Sequence, residues 1–332
     1  MSVASSSFLE PSFPPAAAGH LLGESPAMLE VFRLIERVAP TEASVLLTGE
    51  SGSGKELAAR SIHDRSLRRA GPFVAINCGA IPAGLIEAEL FGYEKGSFTG
   101  AVRGHAGVFE RANGGTLLLD EVTEMPADMQ TRLLRVLESG KFYRVGANLE
   151  QATDVRVIAA TNRCPLQAVE SGRLREDLLY RLAVFPINLP PLRSRGSDVE
   201  LLAEHFLAER NAEAGAQKRF TALARMTLRQ HTWPGNVREL KNCVERAFIL
   251  ADQALELAPL IQNTGARAEG GAPERLDIRV GSRIHDMERS LIEATLDYFQ
   301  GNKRRAADAL GCSLKTLYNK LNGYSQSECA SS

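Results

Sequence analysis

Residues 49–56 read Gly-Glu-Ser-Gly-Ser-Gly-Lys-Glu and follow the apolar run Val45-Leu46-Leu47 almost directly. No other segment limits the possible folds so tightly. Glycines at this spacing let the backbone turn sharply, so that successive N–H groups point at one anion. A helix beginning near Gly54 adds the positive end of its dipole at the same place. Lys55 supplies a mobile cation. An apolar strand, a glycine loop in GxxxxGK spacing and a following helix together predict a phosphate-binding loop. The alternative, a glycine-rich turn with an incidental lysine, does not account for the flanking elements. Gly49, Glu50, Ser51, Gly52, Ser53, Gly54, Lys55 and Glu56 are the candidate nucleotide contacts. One position departs from the common pattern: Glu56 stands where a Ser or Thr usually follows the lysine as a magnesium ligand.

Four more apolar runs follow: Phe73–Ile76, Thr116–Leu119, Val155–Ala160 and Val184–Leu189. Continuous apolar strands separated by helices predict an α/β fold with a parallel sheet covered on both faces. Met129, Leu133, Leu134, Val136 and Leu137 mark one intervening helix by their spacing. Residues 1–19 are rich in Ser, Pro and Ala without periodicity and read as a disordered leader. The α/β segment is expected over 20–190. A helical subdomain follows over 191–252, with Phe206, Leu223, Leu228, Val237, Leu240, Val244 and Phe248 as its core. Glycines 265, 270, 271 and 281 and Pro273 make 253–283 a linker. A second helical unit is expected over 284–324, with a tail at 325–332.

The third strand ends in Asp120-Glu121. Two carboxylates there are either a strand end meeting solvent or the Walker B pair of a P-loop ATPase. After the loop at 49–56 the second reading is preferred. Asp120 would then help hold Mg2+, and Glu121 would polarise the attacking water in ATP hydrolysis. Asn77 ends the second strand. It is either a plain strand-end residue or an amide placed beside Glu121 to hold it from water. Asn162 ends the fourth strand and is a candidate γ-phosphate sensor.

Five cysteines lie far apart, without a CxxC pair or a Cys/His cluster, so neither a disulfide framework nor a zinc site is expected. No apolar run approaches the roughly 18 residues that span a bilayer, and no signal peptide is evident. The expected compartment is the cytoplasm, with no membrane partner.

Beyond the strands, GESGSGKE, GYEKGSFTGA at 92–101, ANGGTLLLDE at 112–121, REDLLYRL at 175–182 and WPGNVREL at 233–240 occur in order. Over roughly residues 20–252 this resembles the AAA+ central domain of bacterial enhancer-binding proteins, which activate RNA polymerase carrying sigma-54. The glutamate after the lysine is that family's own version of the loop. The resemblance implies an AAA+ parallel-sheet domain with a helical lid, acting as an ATPase with ATP and Mg2+. It implies that Gly96, Ser97, Phe98, Thr99, Gly100 and Ala101 engage sigma-54, with Phe98 and Thr99 at the tip. Ser97 stands where the family most often has alanine. It also implies Arg175 and Arg181 as arginine fingers acting on a neighbouring subunit of a hexameric or heptameric ring. Arg238 would be a lid arginine sensing nucleotide in its own subunit. Residues 138–146 lie where the family has a second loop that moves with the first.

The C-terminal segment reads as a short helix over 303–310, a turn at Gly311-Cys312-Ser313 and a helix over 314–321 capped by Ser313. Lys303, Arg304, Arg305, Lys315 and Lys320 face Asp308 alone, a local charge of +4 against −1 for the whole chain. DNA phosphates favour such a patch. In a helix-turn-helix, Lys315, Thr316 and Asn319 would face bases, and Lys303, Arg304 and Lys320 would meet phosphates. The segment also resembles the family's Fis-like DNA-binding helices. The expected function is a sigma-54-dependent activator, dimeric on enhancer DNA, that hydrolyses ATP to remodel the polymerase closed complex. The alternative is a nucleotide-responsive DNA-binding regulator that does not act through sigma-54. About 20 residues precede the ATPase segment, fewer than a receiver or sensor domain needs, so control by a trans-acting regulatory protein or by expression level is expected.

Overall fold

The computed structural model describes residues 21–97 and 103–257, and in the C-terminal segment 288, 289, 291, 292, 295, 296, 303–317 and 320. The tip residues Phe98, Thr99, Gly100 and Ala101 lie outside the described residues, as do Asn319 and the Arg304 side chain.

Five strands form one parallel sheet: β1 (Val45–Thr48), β2 (Phe73–Asn77), β3 (Thr116–Asp120), β6 (Arg156–Thr161) and β7 (Phe185–Asn188), in the order β2-β3-β6-β1-β7. The apolar residues of the three inner strands alternate between two cores. Leu46, Leu117, Leu119, Val157 and Ala159 face one side; Val45, Leu47, Leu118, Ile158 and Ala160 face the other. Helix α1 (Pro26–Val38) and helix α2 (Lys55–Asp64) pack on the second side. Helices α3 (Ile86–Phe91), α4 (Val108–Arg111), α5 (Ala127–Ser139), α6 (Pro165–Glu170) and α7 (Glu176–Leu182) pack on the first. Burial of both faces explains why the strands read as unbroken apolar runs. A hairpin of β4 (Lys141–Tyr143) and β5 (Glu150–Ala152) follows α5, and its short, mostly polar strands carry no apolar alternation to announce it.

The lid is built from α8 (Asp198–Ala214), α9 (Ala222–Gln230) and α10 (Asn236–Leu250), with two-residue strands β8 (Arg219–Phe220) and β9 (Ala254–Leu255). Its core holds Leu202, Leu207, Leu228, Trp233, Leu240 and Val244. Two expectations need correction. Leu223 is exposed, because Thr221 caps α9 and turns Ala224 and Leu228 inward instead. The lid also runs past 252: β9 pairs with β8, and Leu255 and Leu257 are buried in the lid core.

A second compact unit begins at Gln262. Within it α11 (Lys303–Ala309) is followed by a turn at Gly311, where φ is +65°. The Ser313 hydroxyl accepts a bond from the Thr316 N–H at 3.1 Å and so caps the next helical turn. Ile292, Ala306, Ala307 and Leu317 form a small core. Among the described residues, no helix is long and apolar enough to cross a membrane.

Candidate ATPase site and its coupled loops

The phosphate loop runs from the end of β1 to the start of α2. Gly49, Gly52 and Gly54 have φ of +146°, +75° and +104°, a region side chains rarely enter. At Gly52 a Cβ would also lie 2.4 Å from the Gly235 carbonyl oxygen, so only glycine fits between loop and lid. Lys55 is buried, and its ammonium donates to the carbonyl oxygens of Gly49 at 2.7 Å and Glu50 at 3.1 Å. Burial pushes its pKa down, while the carboxylates of Asp120 and Glu121 oppose that shift. Glu56, in the first turn of α2, is exposed.

Parallel register sets Asn77 beside Asp120 at the sheet's carboxyl edge. The Asn77 amide donates to Asp120 Oδ2 at 3.4 Å, and its oxygen accepts from the Gly79 and Ala80 N–H groups. The amide's partner is therefore Asp120 and not Glu121, which corrects the expectation from sequence. The reason is that Glu121 lies one residue past the end of the ladder. There the backbone turns into the left-handed region, with φ +53°, and the carboxylate swings over Gly79. A non-glycine residue in this conformation is strained and is held by its surroundings. Glu121 and Asn162 line one cavity of about 370 Å³ with Cys78, Glu124 and Arg163. Burial pushes the Cys78 thiol up to about 12, so it stays protonated. Arg163 is anchored to Glu124 at 2.7 Å.

The two arginines of REDLLYRL lie at α7 rather than in the wall of that cavity. Arg175 is exposed and forks onto Asp177 at 3.0 and 2.7 Å. Arg181 is exposed and donates to the Leu137 carbonyl at 2.7 Å. Arg238 reaches the loop from α10, donating to the Ser51 hydroxyl at 3.1 Å.

The segment between α3 and α4 is rooted on the β4–β5 hairpin. Tyr93 and His105 exchange backbone bonds at 3.0 and 2.9 Å, Glu94 N–H donates to Val145 O, and Val145 N–H donates to Gly92 O. Arg144 clamps this root. It forks onto Glu110 at 2.8 and 2.6 Å and donates to Glu94 at 2.8 Å. Arg144 holds the Glu110 carboxyl below the usual carboxylate range. Ser97 donates its hydroxyl to the Glu94 carbonyl, and Gly146 is so close that a Cβ there would lie 2.7 Å from Ser97 Cβ. Gly96 sits in open space at φ +83°. Sequence reasoning did not single out Arg144 or Glu110, because neither belongs to a recognisable motif.

In the second unit Lys315 and Thr316 are exposed at the start of the capped helical turn. Lys303 is also exposed. Lys320, expected to meet phosphate, instead pairs with Glu288.

Three family models match successive segments: the sigma-54 interaction domain over residues 21–188, the AAA+ ATPase lid domain over 193–275, and the Fis family of bacterial regulatory proteins over 283–324. Transcriptional regulatory protein FlbD of Caulobacter vibrioides is 45% identical over 314 residues, spanning 90% of this chain and 69% of that protein. The DNA-binding transcriptional regulator NtrC of Rhizobium meliloti is 43% identical over 332 residues, spanning 91% and 69%. Among solved structures, NtrX of Brucella abortus in complex with ATP is similar with a TM-score of 0.68 at 36% identity, covering 92% of this chain and 69% of that one. The chain therefore belongs to the sigma-54-dependent bacterial transcription activators, as an AAA+ ATPase joined to a Fis-type DNA-binding helix-turn-helix.

Proposed function

We propose that this activator assembles as a ring and hydrolyses ATP between subunits with the following division of labour. The backbone of 49–54 and Lys55 hold the phosphates. Glu121 orients water for attack on the γ-phosphorus, giving ADP and phosphate, and Asn162 senses the γ-phosphate. Arg175 and Arg181 act on the neighbouring subunit, where an arginine is worth about 10³–10⁵ in rate. Arg238 senses nucleotide in its own subunit. Asn77 steadies Asp120.

Magnesium fits the donor set. Among the described residues there is no group of three or more His, Cys, Asp or Glu able to hold a metal unaided. Asp120 offers carboxylate oxygens, each accepting one bond, from Glu121 N–H and from Asn77. A hard ion that keeps waters and binds one carboxylate plus substrate phosphates suits such a place. When bound, it would spread the charge on the phosphates.

The observation that carries the reading is a covalent path from catalysis to the loop. Glu121 leads through the short turn Val122–Glu124 into α5, then β4, then Arg144. Arg144 grips the root of the segment that continues into Ser97, Phe98 and Thr99. A change at Glu121 is thus one helix away from the residues proposed to meet sigma-54. Lys315, Thr316 and Asn319 would face enhancer bases, with Lys303 and Arg304 on phosphates.

The test is ATP-dependent transcription from a sigma-54 promoter with purified components. Glu121→Gln should abolish open-complex formation and ATP turnover while ATP still binds. Thr99→Ala should abolish open complexes while DNA binding and turnover persist. Full activation by Thr99→Ala would overturn the loop assignment.

A further inference from the structure

Four consecutive residues of the phosphate loop are each held by the lid. Glu50 receives two bonds from Arg193, at 2.8 and 2.5 Å, and one from Asn236 at 3.1 Å. The Ser51 carbonyl accepts from Asn236 at 3.0 Å. The Gly52 carbonyl accepts from the Val237 N–H at 3.0 Å, and the Ser53 carbonyl from Arg195 at 2.6 Å.

Asn236 is the centre of this arrangement. It is fully buried, at the start of α10, and its backbone is left-handed with φ +54°. Asparagine enters that region more readily than most side chains, because its short amide can hydrogen-bond locally. Its amide oxygen accepts from Leu192 N–H at 2.8 Å, in the segment that leaves β7 for the lid. Its amide nitrogen meets Glu50 and Ser51. One side chain therefore joins the lid's hinge segment, the lid's last long helix and the phosphate loop.

Glu50 is chemically out of place next to a triphosphate, since two anions repel. Its carboxylate is bonded to Arg193 and Asn236 instead, and these hold its pKa near 2. We propose that Glu50, Arg193 and Asn236 form a latch through which the lid shapes the phosphate loop. Glu50 is a positioning residue whose carboxylate acts through the lid and makes no contact with nucleotide. Lid orientation and nucleotide affinity then change together. The Arg193–Glu50 pair is 47% and 40% exposed and contributes little as an isolated ion pair. Its effect comes from the buried amide to which it is joined.

The inference rests on reading 49–56 as the phosphate loop, and the experiment separates the two. In the full chain, Glu50→Ala, Arg193→Ala and the double variant are compared by ADP titration calorimetry and steady-state ATP hydrolysis. Each single change should raise the ADP Kd and the ATP KM together, by about tenfold, with kcat falling less than about threefold. Such a split marks loss of uniform binding. The double variant should be no worse than either single, and Arg193→Lys should recover part of the loss. Multiplicative losses, or a kcat defect in Glu50→Ala that Arg193→Ala lacks, would overturn the proposal by placing Glu50 on the nucleotide. Trp233 is the sole tryptophan and is buried in the lid, so its emission checks that each lid is folded. Should an alanine variant lose native emission, Arg193→Lys and Glu50→Gln carry the same cycle. Lys55→Ala is the control: if it binds ADP as tightly as the parent protein, the phosphate-loop reading fails, whatever the latch variants do.

Discussion

Replacing Arg144 by alanine removes the clamp between the β4–β5 hairpin and the root of the segment proposed to meet sigma-54. Three bonds go: two onto Glu110 and one onto Glu94. Arg144 and Glu110 are 23% and 20% exposed, so their fork is only partly screened, whereas Glu94 is 45% exposed. A hydrogen bond to a charged group contributes about 1.5–3 kcal/mol when desolvated. Exposed ion pairs contribute roughly 0–1 kcal/mol. The fork is therefore assigned about 2 kcal/mol and the Glu94 contact about 0.5 kcal/mol. At 1.4 kcal/mol per decade, losing about 2.5 kcal/mol shifts the balance between clamped and released roots by roughly 60-fold. Open-complex formation on a sigma-54 promoter should fall about 30- to 100-fold in Arg144→Ala. ATP turnover should stay within about threefold, because Arg144 lies outside the cavity that Glu121 lines. Arg144→Lys keeps the charge but not the fork, and should fall in between. The assay is permanganate footprinting of promoter melting beside phosphate release. Activation by Arg144→Ala within about twofold of the parent would refute the clamp.

Three further outcomes are expected. Gly52→Ala should weaken ADP binding by at least about tenfold in calorimetry, since a side chain there meets the Gly235 carbonyl at 2.4 Å and the backbone φ of +75° disfavours it; the same change at Gly96, in open space, should leave ADP binding intact. Glu50 has its carboxyl lowered from 4.5 to about 2. A depressed carboxylate contributes stability above its unfolded value, and that contribution is lost as pH falls from about 4.5 to about 2. The difference in urea midpoint between the parent and Glu50→Gln, followed by Trp233 emission, should shrink over that window; a constant difference would contradict the shift. Asp198 is fully buried and accepts bonds from Glu24 N–H at 2.7 Å, Ser25 N–H at 2.9 Å and the Ser25 hydroxyl at 2.7 Å. Asp198→Ala should cost about 3–5 kcal/mol in urea unfolding, since the donors and the nearby charge of buried Arg195 lose their partner. A loss below about 1 kcal/mol would count against it.

Sequence by itself determined the chemistry that depends on neighbours along the chain. The phosphate binding proposed for 49–56 depends on consecutive N–H groups and glycine torsions, so spacing is enough to suggest it. The strand order was not legible, but the existence of buried strands was, because a sheet covered on both faces demands unbroken apolar runs. Asp120 and Glu121 were legible as the end of such a run, and the cap at Ser313 as a hydroxyl preceding a helix. What the fold alone decided are pairings across long stretches of chain. Asn77 faces Asp120 because parallel register puts them side by side, while the left-handed turn at Glu121 carries its carboxylate, proposed to act in hydrolysis, over Gly79. Leu223 looked like core and is exposed, since a helix's periodicity does not say which of two adjacent stripes meets the lid's other helices. Glu50 falls at an unspecified position of the GxxxxGK spacing, so the spacing gives it no role. Its partners lie 143 and 186 residues away along the chain and meet it where the lid packs against the loop. The glycine loop between β1 and α2 lies where the spacing expected a strand-to-helix turn, while the bonds that tie it to the lid come from far along the chain: backbone torsions are set locally, whereas an ion pair needs a charge that only tertiary packing brings within reach.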